Sequence, residues 1–180
     1  RWGARMGDVP LLDNETLSAL LSEHRAAHAA ATLLSAQLGN PTGYGRVIRD
    51  TDGGVARIVE QKDASAEELT VTEVNAGVYV FRAAALRAHI GGLTTDNAQG
   101  EMYLTDMVAL LRGAGESVAA RTISDSSLVE GVNDRVQLAA AAARLNARVI
   151  RHWQLAGVTV QDPATTWIDV TATLAPDVTL

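Results

Sequence analysis

Cysteine is absent from the 180 residues. That excludes a disulfide scaffold and any thiolate metal centre, and it fits a reducing compartment such as the cytoplasm. Aromatic side chains are scarce, with three Trp, three Tyr and one Phe. Among the hydrophobic residues 31 are Ala, so a core has to be built mainly from Leu, Val and Ile. No apolar run approaches the roughly 18 residues that a membrane-crossing helix needs. Positive charge is also short, with 15 basic against 21 acidic residues and a net charge of -6. Nucleic-acid affinity rests on neutralising phosphates, so a uniformly acidic chain is a poor general nucleic-acid binder. Neither a glycine-rich phosphate loop nor a nucleophile–base pair is recognisable.

What is present is enough apolar material for an ordered core. Runs such as 74–81 and 104–111 exclude disorder. The length suits one domain, or one domain and the beginning of a second. Arg1-Trp2-Gly3-Ala4-Arg5-Met6 matches neither a signal peptide nor a capped element, and Pro176-Asp177-Val178-Thr179-Leu180 stops inside a pattern. The chain therefore reads as an internal piece of a larger protein.

Periodicity and turn residues set out the elements. Asp13-Asn14-Glu15 opens a helix carrying Leu17, Leu20, Leu21 and His24, which ends near His28. The apolar run 29–38, bounded by Gly39-Asn40-Pro41, predicts a buried strand. Segments 46–49 and 55–59 flank Thr51-Asp52-Gly53-Gly54 as a hairpin. Residues 63–69 form a short helix or loop, and 72–81 is a strong central strand. A helix over 82–90 is stopped by Gly91-Gly92. A second, over 101–112, shows Leu104, Met107, Val108 and Leu111 on one face. Strand 117–123 follows, then a long Ala-rich helix over 133–153 that suits a connecting arm. Strands alternating with helices predict an α/β domain with a largely parallel sheet. In the tail, Ile168, Leu174 and Leu180 recur every six residues, the repeat of a parallel β-helix.

Each stretch able to carry chemistry has a plainer alternative. Gly7-Asp8 offers a carboxylate beside open backbone, suited to Mg²⁺, or forms an Asx turn. Gly43-Tyr44-Gly45 lets a backbone approach a ligand, or simply enters a hairpin. In Val59-Glu60-Gln61-Lys62, the Glu60 carboxylate either accepts sugar hydroxyls or is an ordinary strand-end charge. Asn75 sits in an apolar run, where its amide serves a ligand or a neighbouring backbone. Asn133 precedes the long helix and has the position of a cap. His24 and His28 share a helix face that reads as solvated, without a third metal ligand.

Taken in order, the motifs resemble one family. Gly7-Asp8-Val9-Pro10-Leu11, Asn40-Pro41-Thr42-Gly43-Tyr44-Gly45-Arg46, Val59-Glu60-Gln61-Lys62-Asp63-Ala64 and Glu73-Val74-Asn75-Ala76-Gly77 come first. Asn97-Ala98-Gln99-Gly100-Glu101-Met102-Tyr103-Leu104-Thr105-Asp106 and Glu130-Gly131-Val132-Asn133-Asp134-Arg135 follow. From Gly7 onward the chain is similar to the bacterial bifunctional N-acetylglucosamine-1-phosphate uridyltransferases / glucosamine-1-phosphate acetyltransferases. The resemblance implies a Rossmann-like nucleotide-diphospho-sugar transferase domain over 1–132. A helical arm over 133–157 and the start of a left-handed parallel β-helix over 158–180 would follow it.

The implied reaction joins UTP and N-acetylglucosamine 1-phosphate into UDP-N-acetylglucosamine and pyrophosphate, in a cytoplasmic homotrimer. The resemblance makes Asp8 and Asn133 ligands of Mg²⁺, and Gly7, Asp8, Gly45, Glu60, Asn75 and Asn133 substrate-binding. Such a reaction needs charge neutralised and an oxygen aimed in line, with little covalent work for side chains. The family's nucleotide loop and phosphate-binding lysine are missing before Gly7, and its acetyl-CoA site belongs beyond Leu180. This chain alone is therefore expected to catalyse neither reaction. The rival readings are another sugar-1-phosphate nucleotidyltransferase and a truncated, non-catalytic trimerising or regulatory paralogue.

Overall fold

The computed structural model describes residues 2–5 and 9–180. Its chain divides into two compact units, Arg1–Glu130 and Gly131–Leu180. The first is built on a six-stranded sheet: β1 (Trp2–Arg5), β2 (Ala31–Gln37), β3 (Arg46–Arg49), β4 (Val55–Val59), β5 (Glu73–Phe81) and β6 (Val118–Ile123). The strand order is β4-β3-β5-β2-β6, with β1 also paired to β5. The structure thus makes a strand of residues 2–5, for which the sequence indicated no element.

Helix α1 (Asn14–Ala26) lies against one face of the sheet, and α2 (Ala83–His89) and α3 (Asp106–Gly113) against the other. The pleat of β2 shows why two cores form. Leu33 packs with Tyr79, Phe81, Met107 and Leu111, whereas its neighbour Leu34 packs with Leu20, Val74 and Val129.

The sheet is mixed, not largely parallel. Of the pairings among the described strands only β2–β6 is parallel; β1–β5, β2–β5, β3–β4 and β3–β5 are antiparallel. A parallel neighbour needs a crossover of a dozen or more residues, usually helical. The link from β2 to β3 is residues 38–45, and β3 to β4 is a turn, so neither can cross over.

Two further expectations are corrected. Helix α3 begins at Asp106, not 101, because a side chain takes the amides that would open it. Asn97 Oδ1 accepts from Gln99 N at 3.1 Å and Glu101 N at 3.2 Å, and Gly100 turns with φ +65. His24 is buried, not solvated: its Nδ1 is 2.9 Å from Thr32 Oγ1, tying α1 to β2. Asp13 caps α1 by accepting from Thr16 N at 2.8 Å.

In the second unit, α4 (Arg135–Leu155) is capped by Asp134, which accepts from Gln137 N at 2.7 Å. Gln137 Oε1 accepts from Asn133 N at 2.6 Å in return. The cap is therefore Asp134 and not Asn133. Ile150 and Trp153 of α4 pack with Val158, Val160, Ile168, Leu174 and Val178. Asn146 clamps the tail, donating to Thr166 O at 2.7 Å and accepting from Ile168 N at 3.0 Å. The tail returns on itself through a parallel bridge, Thr159 to Thr179. That register sets Val178 beside Val158, so Val178 joins the packing, whereas Leu180 of the six-residue pattern is 42% exposed.

On the α3 face, Glu73 is buried at the end of β5. It accepts from Ser35 Oγ at 2.7 Å and, as a fork, from Arg49 Nε and Nη2, both at 2.7 Å. Burial pushes its pKa up, but the Arg49 and Ser35 hydrogen bonds outweigh it and leave the group below the ordinary glutamate value. A depressed carboxylate stabilises above its unfolded pKa and loses that contribution as pH falls through the folded one. Glu73→Gln is expected to lower stability at pH 7 by about 1–3 kcal/mol. In urea unfolding from pH 7 to pH 3 the gap to the wild type should narrow; a constant gap refutes the assignment.

Candidate functional site

Five positions in matching register make a polar row across the α3 face of the sheet. Arg46 pairs with Val59 and with Val74, which sets Gly45 between Glu60 and Asn75. Asn75 N donates to Gly45 O at 2.9 Å. On the other side Ser35 pairs with Asn75 and with Thr122, their hydroxyls 3.0 Å apart. The row therefore runs Glu60, Gly45, Asn75, Ser35, Thr122.

At Gly45 the neighbouring side chains close in on the backbone, and the lack of a side chain is what makes room for them. A Cβ there would meet Ile58 Cγ2 at 3.2 Å and both Glu60 carboxylate oxygens at 3.3 Å. The glycine is a matter of space, since any larger residue would press on the Glu60 carboxylate.

Asn75 is half-buried and owes its orientation to a β-bulge. Leu33 pairs with Tyr79 and Ser35 with Asn75, so four steps along β5 face two along β2. Gly77 absorbs the excess with φ +68. Its N–H donates to Asn75 Oδ1 at 3.1 Å. With the oxygen occupied, the amide offers its two N–H donors to the surroundings. The plainer reading of Asn75, a bond to nearby backbone, thus holds for one end of the amide and frees the other.

Glu60 is half-buried and accepts from Thr105 Oγ1 at 3.1 Å. Burial, with Asp106 and Asp63 nearby, pushes its pKa up, against the pull of that hydrogen bond. Asp106 is raised as well, first by burial and then by Asp63. Segment 97–103 is tied to the chain just past Glu60: Asp63 Oδ1 accepts from Ala98 N at 2.7 Å, and Lys62 Nζ donates to Gln99 Oε1 at 2.6 Å. Gln61 Oε1 accepts from Gly43 N, which anchors the loop before Gly45.

The structure thus brings together Gly45, Glu60 and Asn75 of the sequence-derived candidates. A carboxylate acceptor and an amide donor face each other across a glycine, an arrangement suited to a ligand rich in hydroxyl and amide groups. Gly7 and Asp8 lie outside the described residues. Asn133 belongs to the second unit, where it is exposed and its side chain is not the helix cap. Among the described residues no group of three or more His, Asp or Glu could hold a metal ion.

Thr105, which donates to Glu60, was missed from sequence. Thr105 was legible only as part of a longer motif, its neighbours reading as the apolar face of a helix.

Thr105→Val removes the donor that draws the Glu60 pKa down, so the Glu60 carboxyl should titrate higher than in the wild type. Side-chain carbon NMR across pH 3–8 reads this directly, and an unchanged midpoint refutes the pairing. A raised folded pKa makes ionisation of Glu60 unfavourable to folding, an effect present above the folded pKa and gone below the unfolded one. Glu60→Gln should therefore raise Tm at pH 7, with the gain vanishing below about pH 4.

The family model described as nucleotidyl transferase matches residues 7–172. "Bifunctional protein GlmU" of Clavibacter sepedonicus is 62% identical over 174 residues, 97% of this chain and 35% of that protein. The protein of the same name from Leifsonia xyli subsp. xyli is 60% identical, over 97% of this chain and 36% of its own length. The chain spans about a third of these curated relatives. A solved Bacillus anthracis protein described as a glucose-1-phosphate thymidylyltransferase superposes with a TM-score of 0.55 at 20% identity, covering 79% of this chain and 53% of that one. At that identity it shows a shared fold alone. With the family model spanning nearly all of its length, the chain belongs to the nucleotidyl transferase family.

Proposed function

We propose that this chain supplies the sugar-binding side of a uridyltransferase that makes UDP-N-acetylglucosamine from UTP and N-acetylglucosamine 1-phosphate. The observation that carries the reading is the row of Glu60, Gly45 and Asn75. An acceptor and a donor flanking a glycine match the hydroxyls and acetamido group of that sugar. Relatives at 62% and 60% identity named "Bifunctional protein GlmU" support the same assignment.

In the reaction a phosphate oxygen of the sugar 1-phosphate attacks the α-phosphorus of UTP. The bond to the β-phosphate breaks and pyrophosphate leaves. The work of the protein is to hold the sugar and align it for in-line attack. In this reading Gly45 admits the ring, Glu60 accepts from its hydroxyls and Asn75 donates to it. Gly7 contacts the substrate, and Asp8 and Asn133 are oxygen ligands of Mg²⁺. The fit at Asn133 is that its exposed amide is left free of helix capping, and an amide oxygen suits a hard cation. Mg²⁺ when bound supplies neutralisation of the phosphate charge.

The whole protein would also acetylate glucosamine 1-phosphate from acetyl-CoA and act in the cytoplasm as a homotrimer. Residues 1–132 would be the uridyltransferase part and 133–157 a connecting arm. Residues 158–180 would begin a left-handed parallel β-helix. The parallel bridge between Thr159 and Thr179 and the inward packing of Ile168 and Leu174 support that last assignment.

Calorimetric titration of the chain with UDP-N-acetylglucosamine, with and without Mg²⁺, tests the reading beside Asp8→Ala and Asn133→Ala. The expected result is magnesium-dependent binding that each substitution weakens at least tenfold, with UDP-glucose bound less tightly. Equal affinity for the two sugars refutes the sugar assignment. Binding indifferent to Mg²⁺ and to both substitutions refutes the metal ligands.

A further inference from the structure

The ring of Tyr79 is explained by packing. It is 3% exposed, lies in the core with Leu33, Met107 and Leu111, and stacks on Phe81 with centroids 5.6 Å apart. Phenylalanine would do all of that. The hydroxyl is the surplus: it is fully buried and makes no hydrogen bond of normal geometry. A buried hydroxyl without a partner is destabilising, so tyrosine at this position needs another reason.

The reason lies in the bulge. Asn75 and Tyr79 are four residues apart on β5 but stand opposite Ser35 and Leu33, only two apart on β2. The excess taken up at Gly77 makes amide and phenol adjacent on one face, with the Glu60 carboxylate close enough to act on the phenol. Asn75 Oδ1 is held by Gly77 N–H, which leaves the NH₂ group as the part that can meet the Tyr79 oxygen.

We infer that Tyr79 is a positioning residue of the sugar subsite, its hydroxyl accepting one N–H of Asn75 so that the other is aimed at the bound sugar. The inference rests on the reading of Asn75 as a sugar contact. The amide and phenol lie side by side, close enough for Asn75 to act on the phenol as a hydrogen-bond donor but short of a hydrogen bond of normal geometry. When a sugar draws the amide to it, the phenol is the group that stops the amide from swinging past. The stability lost by burying the hydroxyl is then recovered as affinity in the complex.

The test is Tyr79→Phe in wild-type and Asn75→Ala backgrounds, read by thermal unfolding and by titration with UDP-N-acetylglucosamine and Mg²⁺. Tyr79→Phe is expected to raise Tm in the absence of ligand and to weaken binding about 3- to 10-fold. In the Asn75→Ala background the same change should weaken binding no further, since the hydroxyl acts through the amide. A lower Tm overturns the inference, because the hydroxyl would then have a structural partner without ligand. Unchanged affinity overturns it too, as does an equal loss in both backgrounds. Wild-type protein that binds no UDP-N-acetylglucosamine overturns the reading of the site, and this inference with it.

Discussion

The hydrogen bond from Gly77 N–H to Asn75 Oδ1 is the point on which the sheet and the site both depend. Strand β5 pairs with β1, β2 and β3, so any change in its register moves the centre of the sheet. The excess backbone near Gly77 has to be absorbed without stranding a buried donor, and the Asn75 side chain accepts the one the bulge releases. Left-handed backbone at Gly77 excludes most other residues, and an apolar residue at 75 would leave that donor unmet. One local solution therefore keeps β5 in register and turns an amide so that only its donors face outward. The side chain that satisfies the fold is the same one proposed to meet the sugar.

Two carboxylates on this face of the sheet are treated in opposite ways. Glu73 has a bidentate guanidinium and a serine hydroxyl, and the combination holds it ionised despite burial. It ties β2, β3 and β5 together, and nothing about it is left over for a ligand. Glu60 has one hydroxyl and acidic neighbours, and its pKa is raised. A buried acid without a cation is costly to ionise and keen to accept from whatever donors arrive. In the proposed reading a sugar meets that demand, whereas the same side chain beside an arginine is a strut.

Most of the fold is legible in the sequence because its signals are local. The Asp13 cap, the Thr51-Asp52-Gly53-Gly54 turn and the apolar runs of β2 and β5 each act within a few residues. Strand direction is not local: pairing β5 antiparallel to three neighbours follows from connection lengths and tertiary packing, which hydrophobic pattern does not encode. The early turns of α3 mislead for a related reason. Their composition suits a helix, but Asn97 holds their amides in a loop. At the site, Gly45, Glu60 and Asn75 stand out as residue types that break the apolar pattern. Tyr79 does not, since a tyrosine in an apolar strand reads as core, and only the bulge brings its hydroxyl to the amide.

Thr105 spends its hydroxyl on Glu60 rather than on its own helix. It occupies the cap position of α3, where threonine ordinarily accepts from an amide of the first turn. It makes no such bond here; its backbone is already helical and its hydroxyl goes to Glu60 instead. Asp106 in the first turn offers some compensation, since a negative charge suits a helix N-terminus. That compensation is reduced by burial and by Asp63, which together hold the Asp106 carboxyl above its ordinary pKa. A short helix with a diverted cap and a discouraged acid is poorly stabilised at its own end, and burial of Met107, Val108 and Leu111 has to hold it in place. The core thus fixes the helix and the helix fixes Thr105. Through that hydroxyl, the packing of α3 reaches the Glu60 carboxylate.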